Sequence, residues 1–582
     1  MNASSRSLGP KLATLLHQIY PEFDADILSS MVIDAFWPES ITRRSRARVP
    51  GNTLWSEKDA LLITYGNSIV DGVHKPLDLI HDFLVTYLSD TLNSVHILPF
   101  FPYTSDDGFA VSDFRAVNPQ LGDWPDIRRI AGKFQLMSDL VLNHVSSQSS
   151  WFHAYQQGQA PYDKFFFEAS PDDDLRDVVR PRTTPLLREV ETTNGPRHVW
   201  CTFSHDQVDL DFRNPDVLLE FLRIIRLHVD NGVEIIRLDA VAFLWKEIGT
   251  PSIHLPQTHA IIQLIRVLCD YASEKVILLT ETNVPKAENL SYFGKGREAH
   301  AIYNFPLPPL ILHAMMSGNA TYLRRWQRAM PPAPMGCAYL NFTASHDGIG
   351  MRPAEGLLPE NEKQQVIDTV KTIGGMVSMR TMPDGTESPY ELNTTFYDAL
   401  SQTFSGADAH HHARFICSQT IVMSLEGIPA FYIHAMLATP NDHEQVVHRG
   451  MNRAINRHRW DYPTLRDRLA DPDSAQACVL RDLSARLQLR KSQRAFHPNA
   501  TQFTVDLHDE RIFAIWRQSI DRHQSIFALH NVSDETITIS AAALNLIEDE
   551  DWIDLLDSAA IDAGAQDITL APYQCMWITN RG

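Results

Sequence analysis

Three short apolar runs in this sequence end in carboxylate residues. Asp239 lies at the end of EIIRLDA (234–240), Glu281 at the end of VILLTE (276–281), and Asp347 at the end of YLNFTASHD (339–347). If neighbouring strand ends bring two such carboxyls to about 5–5.5 Å, one can attack an acetal carbon while the other protonates the departing oxygen. We therefore predict a double displacement at a glycosidic carbon with retention, with Asp239 as nucleophile and Glu281 as acid/base.

Other polar residues near these run ends fit the same chemistry. Arg237 precedes Asp239 by two positions, so both side chains share a strand face, and a fixed cation there keeps a carboxylate ionised. Asp347 supplies a third carboxylate that can grip sugar hydroxyls and stabilise positive charge, and His144 and His346 can donate hydrogen bonds to the same ring. Because an Arg-x-Asp pair is by itself more often an ordinary ion pair, the catalytic prediction depends on the whole set.

The elements that must position these residues are strands alternating with helix-length intervals. Eight runs rich in β-branched or apolar residues have strand length: LLITYG (61–66), SVHILPF (94–100), LMSDLVLNH (136–144), EIIRLDA (234–240), VILLTE (276–281), AIYNF (301–305), YLNFTASHD (339–347) and IPAFYI (428–433). This pattern predicts an α/β fold, a (β/α)₈ TIM barrel, rather than a sandwich. The polar residues lie at the strand ends, where barrels of this kind have their active sites.

Longer segments interrupt and flank the predicted barrel. The predicted parts are an N-terminal helical extension (1–58), the catalytic barrel (59–144 and 206–500), a small domain inserted after the third strand (145–205), an insertion after the seventh strand that lines the acceptor site (348–400), and a C-terminal antiparallel β domain (501–582). Long loops in compact domains usually have a function, so we expect both insertions to shape the substrate pocket.

The composition narrows the choice of partners. A formal net charge of −20 argues against nucleic-acid binding, which needs concentrated positive charge. The basic run RRSRAR (43–48) is expected to be a solvated loop. Six scattered cysteines predict reduced core residues, and no run approaches the roughly 20 apolar residues of a membrane helix. We expect a cytoplasmic protein with no membrane partner, monomeric or homodimeric.

Four motifs resemble a known family. DLVLNH (139–144), IIRLDAV (235–241), LLTETN (278–283) and TASHD (343–347) resemble, in order, the signature regions of the α-amylase family, glycoside hydrolase family 13. A narrower resemblance is to the sucrose-phosphorylase branch, whose members transfer glucose to phosphate instead of water. It rests on SDDGFAVSDF (105–114), RLDAVAFLWKEIGT (237–250), ASHDGIG (344–350), SPYELNTTFYDAL (388–400) and NRAINR (452–457).

The resemblance implies roles for individual residues. It makes Asp239 the nucleophile, Glu281 the acid/base and Asp347 the transition-state stabiliser, in agreement with the chemistry above. The implied glucose pocket has Asp106 and Arg453 paired at its closed end, Phe109 packed on the sugar, His144, Arg237 and His346 on the sugar hydroxyls, and Gln207 in the lining. Since a closed pocket admits a single glucose, the resemblance disfavours polymeric starch as substrate.

The acceptor side departs from sucrose phosphorylase. Phe243 stands where a tyrosine hydroxyl would help bind phosphate, which leaves Arg182 as the predicted phosphate ligand. LWKEIGTPSIHLPQTH (244–259) is more similar to the glucosylglycerate and glucosylglycerol phosphorylases. A glycerate carboxylate would need a cation. Arg352 and Glu355 both fall in the expected acceptor loop, and because a Glu there would disfavour a carboxylate, we predict glucosylglycerol as the donor.

Several alternatives stay open at this point. Glucosylglycerate phosphorylase is the first, followed by sucrose or sucrose 6′-phosphate phosphorylase, an α-glucosidase that uses water, and a non-catalytic barrel protein. The expected partners are a small α-glucoside and inorganic phosphate. We expect no cofactor, because the chain has no Gly-rich phosphate loop, and no metal, because three consecutive histidines (410–412) on a helix point in different directions.

Overall fold

A closed barrel of eight parallel strands forms the centre of the molecule. The structure is a computed structural model that describes residues 5–38, 54–381, 386–546, 551–562 and 567–580. The barrel strands are β1 (Leu61–Thr64), β2 (Ser94–Ile97), β3 (Gln135–Val141), β4 (Val233–Asp239), β5 (Ile277–Thr280), β6 (Ala301–Tyr303), β7 (Ala338–Phe342) and β8 (Ile428–Tyr432). They pair in chain order, and β8 closes the ring by pairing with β1. The predicted (β/α)₈ barrel is therefore confirmed.

The barrel strands are buried on both faces, which explains their composition. Every residue of β1, β2, β5 and β7 is buried. Strands covered by helices on the outside and by packed side chains inside read as continuous apolar runs rather than as an alternation. Most strands end before the predicted runs do, so that His144, Glu281 and Asp347 lie just past a strand end, where the chain turns into a loop.

Helices cover the barrel and extend it at the N-terminus. They are α1 (Ser5–Ile19), α2 (Ala25–Phe36), α3 (Pro76–Phe83), α4 (Trp124–Ala131), α5 (Ser150–Gln156), α6 (Pro215–Asp230), α7 (Pro256–Tyr271), α8 (Lys286–Ser291), α9 (Leu307–Ser317), α10 (Thr321–Ala329), α11 (Glu360–Thr372), α12 (Phe396–Ala399), α13 (His411–Ser424), α14 (Ile433–Met436), α15 (His443–Arg449), α16 (Tyr462–Ala470) and α17 (Ala475–Arg490). In α6, Asn214 caps the first turn by accepting from the Asp216 N–H, and Pro215 fits the first helical position.

The predicted N-terminal helical extension is the pair α1 and α2. The two helices pack on each other, α1 also packs on α7, and α2 packs on α6. Leu12 and Leu16 are fully buried in this contact, and the Tyr20 hydroxyl donates to the Phe212 carbonyl at 2.9 Å. The basic run 43–48 lies outside the described residues.

Both insertions contain small sheets of their own. In the first, Leu187–Val190 pairs with Arg197–Trp200, and His144–Ser146 pairs with Gln207–Asp209. Phe167 and Trp200 form a separate small core there, and Trp151, Phe152, Phe165 and Phe166 pack on one another rather than into the catalytic cavity. In the second, Ile349–Gly350, Glu387–Asn393 and Met376–Thr381 form a three-stranded antiparallel sheet.

The C-terminal part is antiparallel, as predicted. Its larger sheet has six strands in the order Thr501–Val505, Ile512–Gln518, Ser525–Asn531, Cys575–Thr579, Trp552–Asp554 and Ala560–Ile561. A second pair is Ile537–Ser540 with Asp567–Leu570, and two further pairs elsewhere in the chain are Ile69–Val70 with Trp460–Asp461 and Gln402–Thr403 with Gly406–Ala407. The buried guanidinium of Arg517 fastens this part to the barrel by donating to the Ser424 and His497 carbonyls at 2.9 and 2.8 Å.

The six cysteines are free thiols, and all but the half-buried Cys478 are buried, in agreement with their prediction as core residues. Among the helices of the described ranges, none combines the length and the apolarity needed to cross a membrane.

Candidate active site

Two of the three predicted catalytic carboxyls stand on adjacent strand ends. Asp239 is the last residue of β4, and Glu281 directly follows β5, which pairs with β4. The Glu281 N–H donates to the Leu238 carbonyl at 3.1 Å, so the pairing continues to the acid itself. After Asp239 the chain turns at Ala240 with a φ of +50°, and the Ala240 N–H donates to Glu281 Oε2 at 3.2 Å. The backbone of one strand therefore orients the carboxyl of the next.

Arg237 is the buried cation beside these carboxyls. Its Nη1 lies 2.6 Å from Asp239 Oδ1, whereas its Nη2 lies 4.0 Å from Glu281 Oε2. The same guanidinium also pairs with the fully buried Asp139 on β3, which His96 contacts at 2.7 Å. The predicted placement of Arg237 next to Asp239 is confirmed.

The surroundings assign the proton within the Asp239–Glu281 pair. Burial raises the pKa of Glu281; the Arg237 charge opposes this rise and the Asp347 charge adds to it. Burial also raises the pKa of Asp239, again against Arg237, and the Glu281 charge adds to that rise. Two neighbouring carboxyls that disfavour each other's ionisation hold a proton as a pair. Arg237 contacts Asp239 more closely than Glu281, and this contact favours Asp239 as the ionised member of the pair.

Asp347, the third carboxyl, is held ionised by a different arginine. Arg453 Nη1 lies 2.6 Å from Asp347 Oδ1. Although burial opposes ionisation, the charges of Arg453 and of nearby cationic groups hold the pKa of Asp347 well below its usual range. The neighbouring His346 is buried, and burial lowers its pKa to about 3, so the ring is neutral near neutral pH. An anionic Asp347 fits a role in stabilising positive charge on a sugar ring.

The predicted ion pair between Asp106 and Arg453 is wrong. Arg453 instead contacts Asp347 and, at 2.6 and 2.9 Å, Glu391. Asp106 accepts a hydrogen bond from Gln207 Nε2 at 3.3 Å. The pairing changed because Glu391, from the second insertion, is buried against the guanidinium and supplies a closer anion. Asp106 and Arg453 nevertheless line the same cavity.

The structure brings the predicted catalytic and glucose-binding residues into the lining of one cavity: Asp106, Phe109, His144, Gln207, Arg237, Asp239, Glu281, His346, Asp347 and Arg453. Within it, the Phe109 ring stacks on His346 with centroids 4.9 Å apart and planes 8° apart. His144 Nε2 lies 3.1 Å from the Phe109 carbonyl oxygen. These contacts fix one apolar ring and two neutral imidazoles in the wall beside the carboxyls. The hydroxyl-binding roles of these residues stay predictions.

Sequence reasoning missed several residues of this cavity. Glu391 is the most important of them: it is 3% exposed, binds Arg453 and accepts from the Gly348 N–H at 3.0 Å. Its neighbour Tyr390 lies under the Arg182 guanidinium, 5.7 Å from the ring centroid, and joins the two insertions. Asn283 and Phe203 also line the cavity. The only signal for Glu391 was its place in SPYELNTTFYDAL, and a sequence does not show which way an insertion folds.

Not all of the predicted acceptor-side residues line the cavity. Arg182, Arg352 and Phe243 line the cavity. Glu355 does not belong to that lining, and its carboxylate pairs with Arg380 at 2.5 Å. The expectation that Glu355 lies beside the acceptor is therefore wrong, because a nearby arginine on the second insertion holds it elsewhere.

Comparison with known proteins identifies the family of the chain. A model of the alpha amylase catalytic domain matches residues 69–347. A glucosylglycerate phosphorylase of Spirochaeta thermophila is 42% identical over 581 residues, covering 98% of each chain. One of Escherichia coli is 39% identical over 526 residues, covering 90% of this chain and 92% of that one. The glucosylglycerol phosphorylase of Marinobacter adhaerens is 32% identical over 442 residues, covering 73% and 86%.

A solved structure shares the fold. The crystal structure of sucrose 6F-phosphate phosphorylase from Thermoanaerobacter thermosaccharolyticum superposes with a TM-score of 0.72 at 23% identity, covering 88% of this chain and 98% of that one. The signature regions lie at the strand ends, and the relatives match the chain over most of its length. The chain belongs to the α-amylase family, glycoside hydrolase family 13, and within it to the branch that contains the sucrose, glucosylglycerol and glucosylglycerate phosphorylases.

Proposed function

We propose that this enzyme is a retaining glucosylglycerate phosphorylase, which transfers glucose from an α-glucosylglycerate to inorganic phosphate. The products are α-glucose 1-phosphate and glycerate. The observation that carries the choice of acceptor is the charge of the cavity wall: Arg352 and Arg182 line it, whereas Glu355 is paired with Arg380 outside it. The argument against a carboxylate acceptor rested on Glu355 and no longer holds.

The two acceptor-side arginines are suited to anions. Within the described chain, neither Arg182 nor Arg352 forms an ion pair with a carboxylate, so the charge of each is available to a ligand. A guanidinium binds carboxylate or phosphate through two parallel hydrogen bonds. One arginine for the glycerate carboxylate and one for the incoming phosphate match the two anions that the proposed reaction handles. The similarity to two glucosylglycerate phosphorylases across almost the whole chain supports the same choice.

The proposed reaction proceeds in two displacements. Glu281 donates its proton to the glycerate oxygen that leaves, while Asp239 attacks the anomeric carbon and forms a glucosyl ester. Asp347 stabilises the positive charge that develops on the ring. Phosphate then attacks the anomeric carbon from the side that glycerate left, displaces Asp239 and yields the α-anomer. Because phosphate carries acidic protons, it needs less help from the Glu281 base than water does.

The first experiment is a donor panel. The enzyme is incubated in phosphate buffer with glucosylglycerate, glucosylglycerol, sucrose or sucrose 6′-phosphate, and glucose 1-phosphate and free glucose are measured. We expect glucose 1-phosphate from glucosylglycerate with at least tenfold higher kcat/KM than from glucosylglycerol. Preferred phosphorolysis of glucosylglycerol would make glycerol the acceptor instead of glycerate. Glucose release that is independent of phosphate would make the enzyme a hydrolase.

The Arg352→Gln variant tests the reason for this preference. Removing a guanidinium that binds a carboxylate costs roughly 1.5–3 kcal/mol, which corresponds to a loss in kcat/KM of about 10- to 100-fold on glucosylglycerate. Glucosylglycerol has no carboxylate, so its kcat/KM should change much less. Arg494→Gln is the matched control, because the Arg494 side chain is exposed and lies outside the cavity lining. An equal loss on both donors would show that Arg352 does not read the carboxylate.

A further inference from the structure

A second polar cavity lies at the carboxyl ends of β1 and β2. It has a volume of about 220 Å³ and shares no lining residue with the catalytic cavity among the described residues. Neighbours in the chain divide between the two cavities: Asp106 lines the catalytic one and Asp107 the second, and Asn456 lines the first and Arg457 the second. A cavity needs on the order of 10–15 Å³ to hold one water, so this one has room for a hydrated ion.

Positive charge exceeds negative charge in the wall of this second cavity. Arg449, Arg457 and Arg459 line it, and Asp107 is the one carboxylate among the lining residues of the described chain. Asp107 pairs with both Arg449 and Arg457, which are 18% and 2% exposed at their side chains. Three guanidiniums against one carboxylate leave an excess of positive charge in a partly enclosed space, which attracts an anion.

Two buried donors in this wall lack a partner. Arg457 uses its Nε and Nη1, but its Nη2 and the Tyr65 hydroxyl make no hydrogen bond within the described residues. Arg457 is 4% exposed and Tyr65 8% exposed. Burial raises the pKa of Tyr65 well above its usual range, so the hydroxyl keeps its proton and remains a donor. Leaving buried donors unpaired costs free energy, and a side-chain shift that opens these donors to the cavity would let a bound acceptor recover it.

We propose that the second cavity binds a phosphoryl oxyanion, either free phosphate or the phosphate group of a sugar phosphate. Arg449 and Arg459 offer forked donors to the cavity, the side-chain amides of Asn67 and Asn118 add neutral ones, and the Arg457 charge lies directly behind them. A tetrahedral phosphate has acceptor oxygens in several directions, which suits donors converging from separate loops better than a planar carboxylate does. This proposal does not depend on the proposed function.

The second cavity is also next to the catalytic site. Arg457 Nε donates to the His346 carbonyl at 2.9 Å, and the Tyr65 ring contacts the His346 ring edge-on with centroids 6.0 Å apart. Two residues that line the second cavity therefore also support a wall residue of the catalytic cavity.

Equilibrium dialysis of the full chain with labelled phosphate tests the proposal. The measurement uses the Arg182→Gln background, so that phosphate on the proposed acceptor side is weakened, and we expect one bound phosphate per chain there. Arg449→Gln and Arg459→Gln should each weaken this binding about tenfold. Asp107→Asn should instead tighten it severalfold, because it releases Arg449 and Arg457 for the ligand. Asparagine suits this position, whose φ is +49°.

These opposite directions separate a ligand site from a structural role. If Asp107 and Arg449 served only to hold their loops together, removing either side chain would change phosphate binding in the same direction. The exposed Arg468→Gln is the matched control and should bind as the background does. The absence of bound phosphate in the Arg182→Gln background, or weaker binding by Asp107→Asn, would overturn the proposal.

Two further comparisons complete the design. The unsubstituted chain is expected to bind two phosphates. If none of this binding depends on Arg182, the proposed acceptor side is contradicted. If none of it depends on Arg459, the second site is contradicted. Displacing labelled phosphate with glucose 6-phosphate distinguishes the ligands. Displacement at concentrations below those needed with unlabelled phosphate assigns the site to a sugar phosphate, and weaker displacement assigns it to free phosphate.

Discussion

The Arg237 guanidinium lies 2.6 Å from Asp239 and 4.0 Å from Glu281. This unequal spacing gives two otherwise similar carboxyls different electrostatic surroundings. Because the Arg237 charge is close to Asp239, it favours the ionised form of this carboxyl, which can attack carbon. Glu281 lies farther from the same charge, and burial and the Asp347 charge raise its pKa. The predicted nucleophile and the predicted acid thus differ in their distance from one arginine.

Replacing Asp239 by Asn removes the nucleophile while keeping its size. We expect turnover to fall on the order of 10⁴-fold or more, because no other group can form the glucosyl ester. Glucose 1-phosphate release measures the loss, and Asp172→Asn, at an exposed position, is the control for a carboxyl-to-amide change. Substantial phosphorolysis by Asp239→Asn would remove this residue from the nucleophile role.

The Glu281→Gln variant should fail on some donors and not on others. With a natural glucoside it loses the proton for the leaving oxygen, at a cost of roughly 10²–10⁴-fold. With α-glucosyl fluoride the leaving fluoride needs no proton, and phosphate needs little base, so most of the rate should remain. The ratio of the two rates, compared with that of the unsubstituted enzyme, is the measurement. Equal losses on both donors would argue against Glu281 as the acid.

Glu391 is expected to act as a positioning residue through Arg453. In Glu391→Gln the buried Arg453 guanidinium loses one of its two anionic partners and pulls more strongly on Asp347, so we expect kcat to fall about 10- to 100-fold, with a smaller change in KM. Glu387→Gln, an exposed position on the same strand, is the matched control. A variant that melts at the temperature of the unsubstituted enzyme and retains full kcat would show that the clamp on Arg453 is dispensable.

Buried neutral histidines should make the fold sensitive to acid. Burial lowers the pKa of His530 to about 4, whereas an unfolded histidine has a pKa of about 6.5. Between these values the unfolded chain binds a proton that the folded chain does not, so stability falls as pH drops from 6.5 towards 4. At pH 5 this one residue contributes about 2 kcal/mol of the loss.

The His530→Gln variant tests that contribution. Gln cannot titrate but can still contact Ser424 and the Phe513 carbonyl, which are partners of His530. We expect its thermal midpoint to fall less between pH 7 and pH 5 than that of the unsubstituted enzyme. His523→Gln, at a surface-exposed histidine, is the control and should follow the unsubstituted enzyme. Identical pH dependence in all three proteins would exclude a contribution from His530.

The sequence by itself determined the barrel and the position of its chemistry. Eight apolar runs at helix-length intervals admit few arrangements, and a residue at the end of a parallel strand must lie at the carboxyl edge of the sheet. The sequence therefore predicts that Asp239, Glu281 and Arg237 are neighbours, because their relative positions follow from two adjacent strands and a side-chain period of two.

Only the tertiary structure decided the partners that come from different loops. Arg453 binds Asp347 and Glu391 rather than Asp106, and Glu355 binds Arg380 rather than facing the acceptor. These contacts join segments that are far apart in the chain, and no local periodicity fixes how a long insertion folds over a barrel. The argument for glucosylglycerol rested on such a contact: it assigned a charge to the acceptor site from loop membership, whereas burial and the nearest opposite charge decide where a carboxylate points.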